Sequence, residues 1–358
     1  MAASMLLCMT ALAQEAPPVD WEDVMRVPVE RLTVTSRGAV YAHLGSGGEV
    51  SYDSGATWQT LLSPALSAEL VAVDPSNDAV LYFRAADGLY GTSDAGQTFN
   101  HLLATAAPLQ LAVSPVDGQL LFLALFPSPA SLQLARSTDR GINWIVLQDR
   151  SQSLCVYRVL VLEPDRSDAA RVFRAAECYS GRSTGGGLAV SHDQGEHWSE
   201  VLRESARYPM LMVGGSGADP TRLYLSANDA LNASASRGGS VFRSDDGGET
   251  WAEVLVVRVG EGDDGPLWIG GLASDPRAPD VVYASLAGVR RGLLLSCDGG
   301  TTWGAVTGQD IGDMTSLALT SDGAILLAAT DRGVWRRAAP GCGAPESVSG
   351  KGLVPTFS

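Results

Sequence analysis

Ser244-Asp245-Asp246-Gly247-Gly248-Glu249-Thr250-Trp251 is one of six copies of the same phrase: a small hydroxyl residue, Asp two positions on, Gly two further, then an aromatic. The others are Ser51 to Trp58, Thr92 to Phe99, Ser137 to Trp144, Ser191 to Trp198 and Ser296 to Trp303. Their aspartates, Asp53, Asp94, Asp139, Asp193, Asp246 and Asp298, lie 41, 45, 54, 53 and 52 residues apart. Recurrence at that period marks an array of identical supersecondary units. The phrase suits a turn between strands: Asp accepts from amides of its own turn, Gly adopts a conformation other residues resist, and the aromatic anchors the next strand.

The sequence before each phrase repeats too. Leu70-Val71-Ala72-Val73 leads through Asp74-Pro75 to Val80-Leu81-Tyr82-Phe83, and similar pairs flank Ser114-Pro115, Glu163-Pro164, Asp219-Pro220 and Asp275-Pro276. Each reads as strand, Pro turn, strand, with a third strand entering the phrase and a fourth leaving it. After the sixth copy, runs at Ser316–Leu319, Ile325–Ala328 and Gly333–Arg336 form a unit lacking its fourth strand. Trp21-Glu22-Asp23-Val24-Met25 resembles the fourth strand Trp251-Ala252-Glu253-Val254-Leu255, with no phrase before it. The expected fold is therefore all-β: a seven-bladed propeller of four-stranded antiparallel blades over residues 20–337, closed by that N-terminal strand.

The phrase resembles the Asp-box, or BNR repeat, S-x-D-x-G-x-T-W, which Ser244–Trp251 and Ser296–Trp303 match at every position. The resemblance implies a sialidase-like superfamily propeller in which each box joins the third and fourth strands of a blade. Single propellers of the Ycf48/Hcf136 photosystem-assembly type and sortilin-like propellers share this architecture and bind proteins. Sialidases use an arginine triad with Tyr, Glu and Asp; Met25-Arg26-Val27-Pro28 echoes their F/Y-R-I-P motif, yet they have six blades. Asp-box xyloglucanases use a carboxylate pair as acid and base, between two seven-bladed propellers.

The 358 residues carry 40 Gly, 18 Pro and a formal charge of −15. The glycines and prolines leave few windows of helical length, and the charge opposes binding to polyanionic nucleic acid or membrane surfaces. Met5 to Ala13 reads as the apolar part of a signal peptide, residues 1–13, although no Lys or Arg precedes Arg26. A lipoprotein reading through Cys8 is the rival. Residues 14–19 form an N-terminal segment, and 338–358 a Gly/Pro/Ser-rich linker or tail. A secreted, periplasmic or cell-surface monomer without a membrane span is expected. In that setting Cys155 and Cys178, at the open end of one hairpin, are expected to pair, with Cys297 and Cys342 as a second candidate disulfide.

Ligand chemistry is expected on the face opposite the boxes. There the blade connections supply Asp263, Asp264, Asp310 and Asp313, and the second-to-third-strand loops supply Glu177, Tyr179, Arg182, Asp229, Arg237, Arg290, Arg291, Asp331 and Arg332. The stretches Glu177–Gly187, Asn228–Gly239 and Gly260–Pro266 read as surplus loops, which commonly carry binding. Arg182, Arg237, Asp263 and Asp264 are the candidate contacts. No metal or cofactor is expected: His43, His101, His192 and His197 lack metal-ligand spacing, and no Gly-rich phosphate loop opens a helix. The function expected from these readings is an exported module binding a protein or carbohydrate, with catalytic residues unassigned. The alternative is a glycoside hydrolase of the exo-sialidase or Asp-box glycanase type.

Overall fold

Alternating apolar residues in short runs, bounded by Asp/Pro/Gly turns, produce strands buried on both faces between neighbouring sheets. The computed structural model describes residues 20–342 except 66, 108, 129–130, 148–155, 180–183, 205–207, 214–218, 230–235 and 261. For strand residues 127–128, 131–132, 156–161, 177–179, 184–186, 204 and 208–213 it describes the backbone alone. The strands form seven four-stranded antiparallel sheets, six of them in sequential order. In the seventh, Glu22–Met25 pairs with Gly333–Ala338, with Asp23 opposite Trp335 and Met25 opposite Val334. The ring is closed by its N-terminal strand, as the sequence predicts.

The core lies between blades. Val80, Tyr82 and Leu89 of blade 2 pack with Leu109, Leu111 and Leu123 of blade 3, and Val40 and Ala42 of blade 1 pack with Leu327, Ala329 and Val334 of blade 7. Second strands are the most enclosed; Leu223–Asn228 and Ile325–Thr330 are buried throughout. Polar rivets recur at equivalent places. The hydroxyls of Tyr41, Tyr224 and Tyr283 donate to the carbonyls of Asp78, Pro279 and Pro340 in the next blade or beyond the last one, at 2.8, 2.9 and 2.6 Å. Burial pushes Tyr224 and Tyr283 up to about 12, so these donors keep their protons.

Each box makes the same small network. In the fifth, Ser244 Oγ donates to Asp246 Oδ1 at 2.8 Å and accepts from Gly248 N at 2.8 Å. Asp246 Oδ1 accepts from Thr250 N at 2.9 Å, and Oδ2 from the Thr250 hydroxyl at 2.5 Å. Where Thr is replaced, its donor is not lost: Asn143 Nδ2 and His197 Nδ1 reach Asp139 and Asp193, each at 2.6 Å. The residue after each Asp is left-handed, including Ser54, Ala95, Arg140 and Gln194, at φ from 55 to 60°. The box Gly that follows is left-handed as well and abuts the preceding blade; a Cβ on Gly55 would lie 2.4 Å from Leu327 Cδ2, and one on Gly248 2.4 Å from Phe173 Cε1.

Three expectations need amendment or fall outside the described residues. Glu177–Gly187 is not a long loop, because strands run to Tyr179 and from Thr184, with Glu177 paired to Gly186. Its glycines supply backbone groups to the ladder as well as any residue does. Likewise Asn228 is the last residue of its strand, paired to Gly239. Cys155 lies outside the described residues, so its pairing with Cys178 does too. A disulfide joins Cys297 in the sixth box to Cys342, with Cα atoms 5.8 Å apart, and fastens the segment after the last strand to blade 6. Among the described residues no helix is long and apolar enough to cross a membrane.

The hydroxyl bond from Thr250 is the largest cause holding Asp246 down to about 2, below an unfolded value of about 3.9. The box therefore contributes its full electrostatic stability above about pH 4 and loses it as the pH falls toward 2. Asp246→Ala is expected to cost about 1–3 kcal/mol at neutral pH. In urea unfolding followed across pH, its deficit against wild type should shrink between about pH 4 and 2; a pH-independent deficit would contradict this account of the box.

Candidate functional site

On the face opposite the boxes, the described residues form an arc of paired charges from blade 5 to blade 7. Asp229, just past its strand, organises the loop behind it: its Oδ1 accepts from Arg237 N at 2.7 Å and from Ser236 Oγ at 2.8 Å. Arg237, thus placed, donates from Nη1 to Gly265 O at 2.9 Å. Asp263 Oδ2 accepts from Arg290 Nε at 2.7 Å and from Gly260 N at 3.1 Å. The connection 259–266 between blades 5 and 6 is therefore held from both sides. Asp264 is exposed on it.

The consecutive arginines diverge. Arg290 reaches back to Asp263, whereas Arg291 reaches forward, its Nε donating to Asp313 Oδ1 at 2.7 Å. Asp313 Oδ1 also accepts from Gly288 N at 2.9 Å. The hydrogen bond to Asp313 raises the Arg291 pKa, with Asp310 and Asp331 adding to the effect. Asp310 accepts from Gly312 N at 2.9 Å, and its other oxygen lies 3.9 Å from Arg291 Nη1 on a largely exposed side chain. Beside this pair lies a pocket of about 260 Å³ walled by Leu293 and Val306 of blade 6, Ile311 of the next connection, Met314 at the start of blade 7, and Trp21 just before the closing strand.

The structure brings Arg237, Asp263 and Asp264 to one arc; Arg182 lies outside the described residues. Arg26 stands apart, solvent-facing and paired with Asp23 at 2.7 Å. Among the described residues no cluster of His, Cys, Asp or Glu is arranged to hold a metal.

Sequence reasoning missed a second group of charges, on the innermost strands. Arg31 is exposed by area yet ringed by protein, as expected of a side chain standing in a solvent-filled axis, and donates to Val71 O at 2.9 Å. Burial lowers its pKa, while Glu163, Glu69 and Glu30 pull it back up. Burial raises the pKa of Glu163. Glu69 is paired with Arg84. Burial, and then Arg31, hold buried His43 neutral; its Nδ1 lies 2.9 Å from Leu70 O and its Nε2 2.9 Å from the Thr33 hydroxyl, which fixes the proton on Nδ1. The available signal was a charge in a strand whose counterparts, such as Leu109–Val113, carry none.

A model of the BNR/Asp-box repeat matches residues 242–253. With the seven closed blades, that decides the class. The chain is a BNR-repeat β-propeller. The propeller is 27% identical over 272 residues to a xyloglucanase of Hypocrea jecorina (strain QM6a), across 72% of this chain and 28% of that protein. Its fold is similar to the GH74 xyloglucanase from Xanthomonas campestris (TM-score 0.71, 22% identity, 92% of this chain and 55% of that one). It is also similar to YCF48 solved with a bound peptide (TM-score 0.58, 16% identity, 91% and 100%). The propeller thus spans less than a third of its curated relative and about half of the solved xyloglucanase.

Because the ion pairs on this arc are partly exposed, their worth lies in positioning rather than stability. Arg290→Ala should cost no more than about 1 kcal/mol. It should nevertheless speed hydrogen exchange at the amides from Gly260 to Leu267, and unchanged exchange there would show that the connection is held by other contacts.

Proposed function

We propose that this chain is a glycoside-hydrolase-type propeller that engages a neutral β-glucan of the xyloglucan class through its loop face. The observation that carries the reading is the similarity to a xyloglucanase over 272 residues, far beyond the twelve-residue repeat that many propellers share. It favours the glycosidase alternative over the module without catalysis expected from the sequence. A charge of −15 repels acidic sugars, which supports a neutral glycan over a sialoside. The solvent-facing Arg26 and the seventh blade count against the sialidase arrangement in the same way.

Glycosidases of this kind divide work between two carboxyl groups, one giving a proton to the leaving oxygen and one acting as base or nucleophile. Of the four described carboxylates on the connections either side of blade 6, Asp263 and Asp313 are each committed to an arginine and a backbone amide, so Asp264 and Asp310 are the two proposed to meet a substrate. Arg237 and Arg182 complete the proposed contact set. Peptide binding is the second reading, favoured by the match to the whole length of a single-propeller chain solved with a peptide.

Reducing-end release by the purified full chain tests the proposal, with xyloglucan, an unbranched β-1,4-glucan and a fluorogenic sialoside as substrates. Turnover of xyloglucan, none of the sialoside, and a loss of roughly 100-fold or more in kcat for Asp264→Asn or Asp310→Asn are expected. Retention of xyloglucan without hydrolysis would return the chain to the class of binding modules. Neither binding nor turnover would overturn the reading.

A further inference from the structure

We propose that the pocket between blade 6 and the closing strand is a subsite for one pyranose ring of a neutral glycan, and that filling it fastens the ring of blades. The proposal rests on the glycan reading and assigns that reading a specific place. At about 260 Å³ the pocket falls just below the roughly 300–1,000 Å³ that holds drug-sized ligands, a scale suited to a single ring. Its walls are largely apolar, from Trp21, Leu293, Val306, Ile311 and Met314, and suit the C–H face of a pyranose.

The mouth supplies a donor beside an acceptor. Asp313 Oδ1 already takes two donors, and one oxygen of Asp310 takes Gly312 N. The other, Asp310 Oδ2, lies 3.9 Å from Arg291 Nη1, close enough for attraction and too far for a hydrogen bond. Both side chains keep much of their surface in solvent, 42% for Arg291 and 67% for Asp310. Neighbouring hydroxyls of a sugar fit this pair, one accepting from the guanidinium and the other donating to the carboxylate.

The same connection also holds the closing strand. Gln309 Nε2 donates to Trp21 O at 2.8 Å and Gln309 N to Asp20 Oδ1 at 3.3 Å, while Gln309, Asp310 and Ile311 all line the pocket. A ligand seated between Trp21 and this connection adds contacts across the seam. Ligand that binds only the closed ring must then lower the population in which the closing strand is open.

The experiment uses the full chain with glucose, xylose, cellobiose and a xyloglucan oligosaccharide as probes. Calorimetry reads affinity, and hydrogen exchange reads the amides from Asp23 to Met25 and from Val334 to Arg336. Millimolar binding of at least one monosaccharide, with slower exchange at both strands, is expected. Val306→Trp, which fills the pocket, should weaken binding at least tenfold and abolish the sugar-dependent protection. Asp310→Asn, which keeps the size and can still accept from Gly312, should weaken binding about threefold or more and guards against misfolding of the larger variant. Sugar binding with unchanged affinity in both folded variants would overturn the subsite, as would binding without protection of the closing strand. Xyloglucan turnover retained in Val306→Trp, alongside sugar binding unaffected by that change, would sink the subsite while leaving the glycosidase reading intact. Absence of turnover in every variant, with sugar-dependent protection still seen, would do the reverse.

Discussion

The contact between each box glycine and the blade before it is the constraint on which the ring depends. Gly55 meets Leu327 of blade 7, Gly96 meets Leu62 of blade 1, Gly141 meets Leu102 of blade 2, and Gly195 meets Leu147 of blade 3; Gly248 and Gly300 continue the series on Phe173 and Val254. A side chain at any of these positions would strike the neighbouring blade, and the left-handed backbone would resist it as well. The Asp and Ser or Thr of the box exist to hold that glycine in place, since the hydroxyl accepts the glycine's own N–H in all six copies. Local hydrogen bonding thereby becomes spacing between sheets. Stability of one blade is in this way tied to the geometry of the next.

Arginines extend the same coupling across the box face. Arg136 and Arg243, each just before a box serine, donate to carbonyls of the following box, at Gln194 and Gly299, at 3.2 and 2.7 Å. Closure adds one more joint, from Glu22–Met25 to the last strand and from Cys342 to the sixth box. A ring so jointed suits a surface that must hold loops still. Substrate-contacting groups gain from a rigid support because the cost of ordering them is met before the ligand arrives.

The boxes, the blade number and the closing strand were legible because they arise from interactions short in sequence or repeated at a fixed period. Six aspartates in register name the turns, and the orphan strand at Trp21 has only one unfilled sheet edge to join. The two arginines at 290 and 291 were legible as loop residues but not as clamps. Their opposite commitments, to Asp263 and to Asp313, depend on which connections the ring brings to either side of blade 6. The axial charges were illegible for the same reason, as Arg31, Glu69 and Glu163 come from blades 1, 2 and 4 and acquire meaning only when seven inner strands converge. The stretch from Glu177 to Gly187 misled because the length between recognisable strands does not reveal where a partner strand continues to pair.

Charge satisfaction separates scaffold from site on the loop face. An aspartate that accepts both a guanidinium and a backbone amide is held in place by them, and moving it would release the connection it fastens. By that criterion Asp263 and Asp313 belong to the frame, although their sequence context is no different from that of Asp264 and Asp310. The four described carboxylates of these two short acidic loops thus resolve into two that shape the surface and two that face outward from it. The outward pair stands on connections either side of blade 6, and the distance between them is set by the blade itself. Substitution at the outward positions can therefore change this surface without disturbing the ring, which is how one scaffold can carry different functions in different chains.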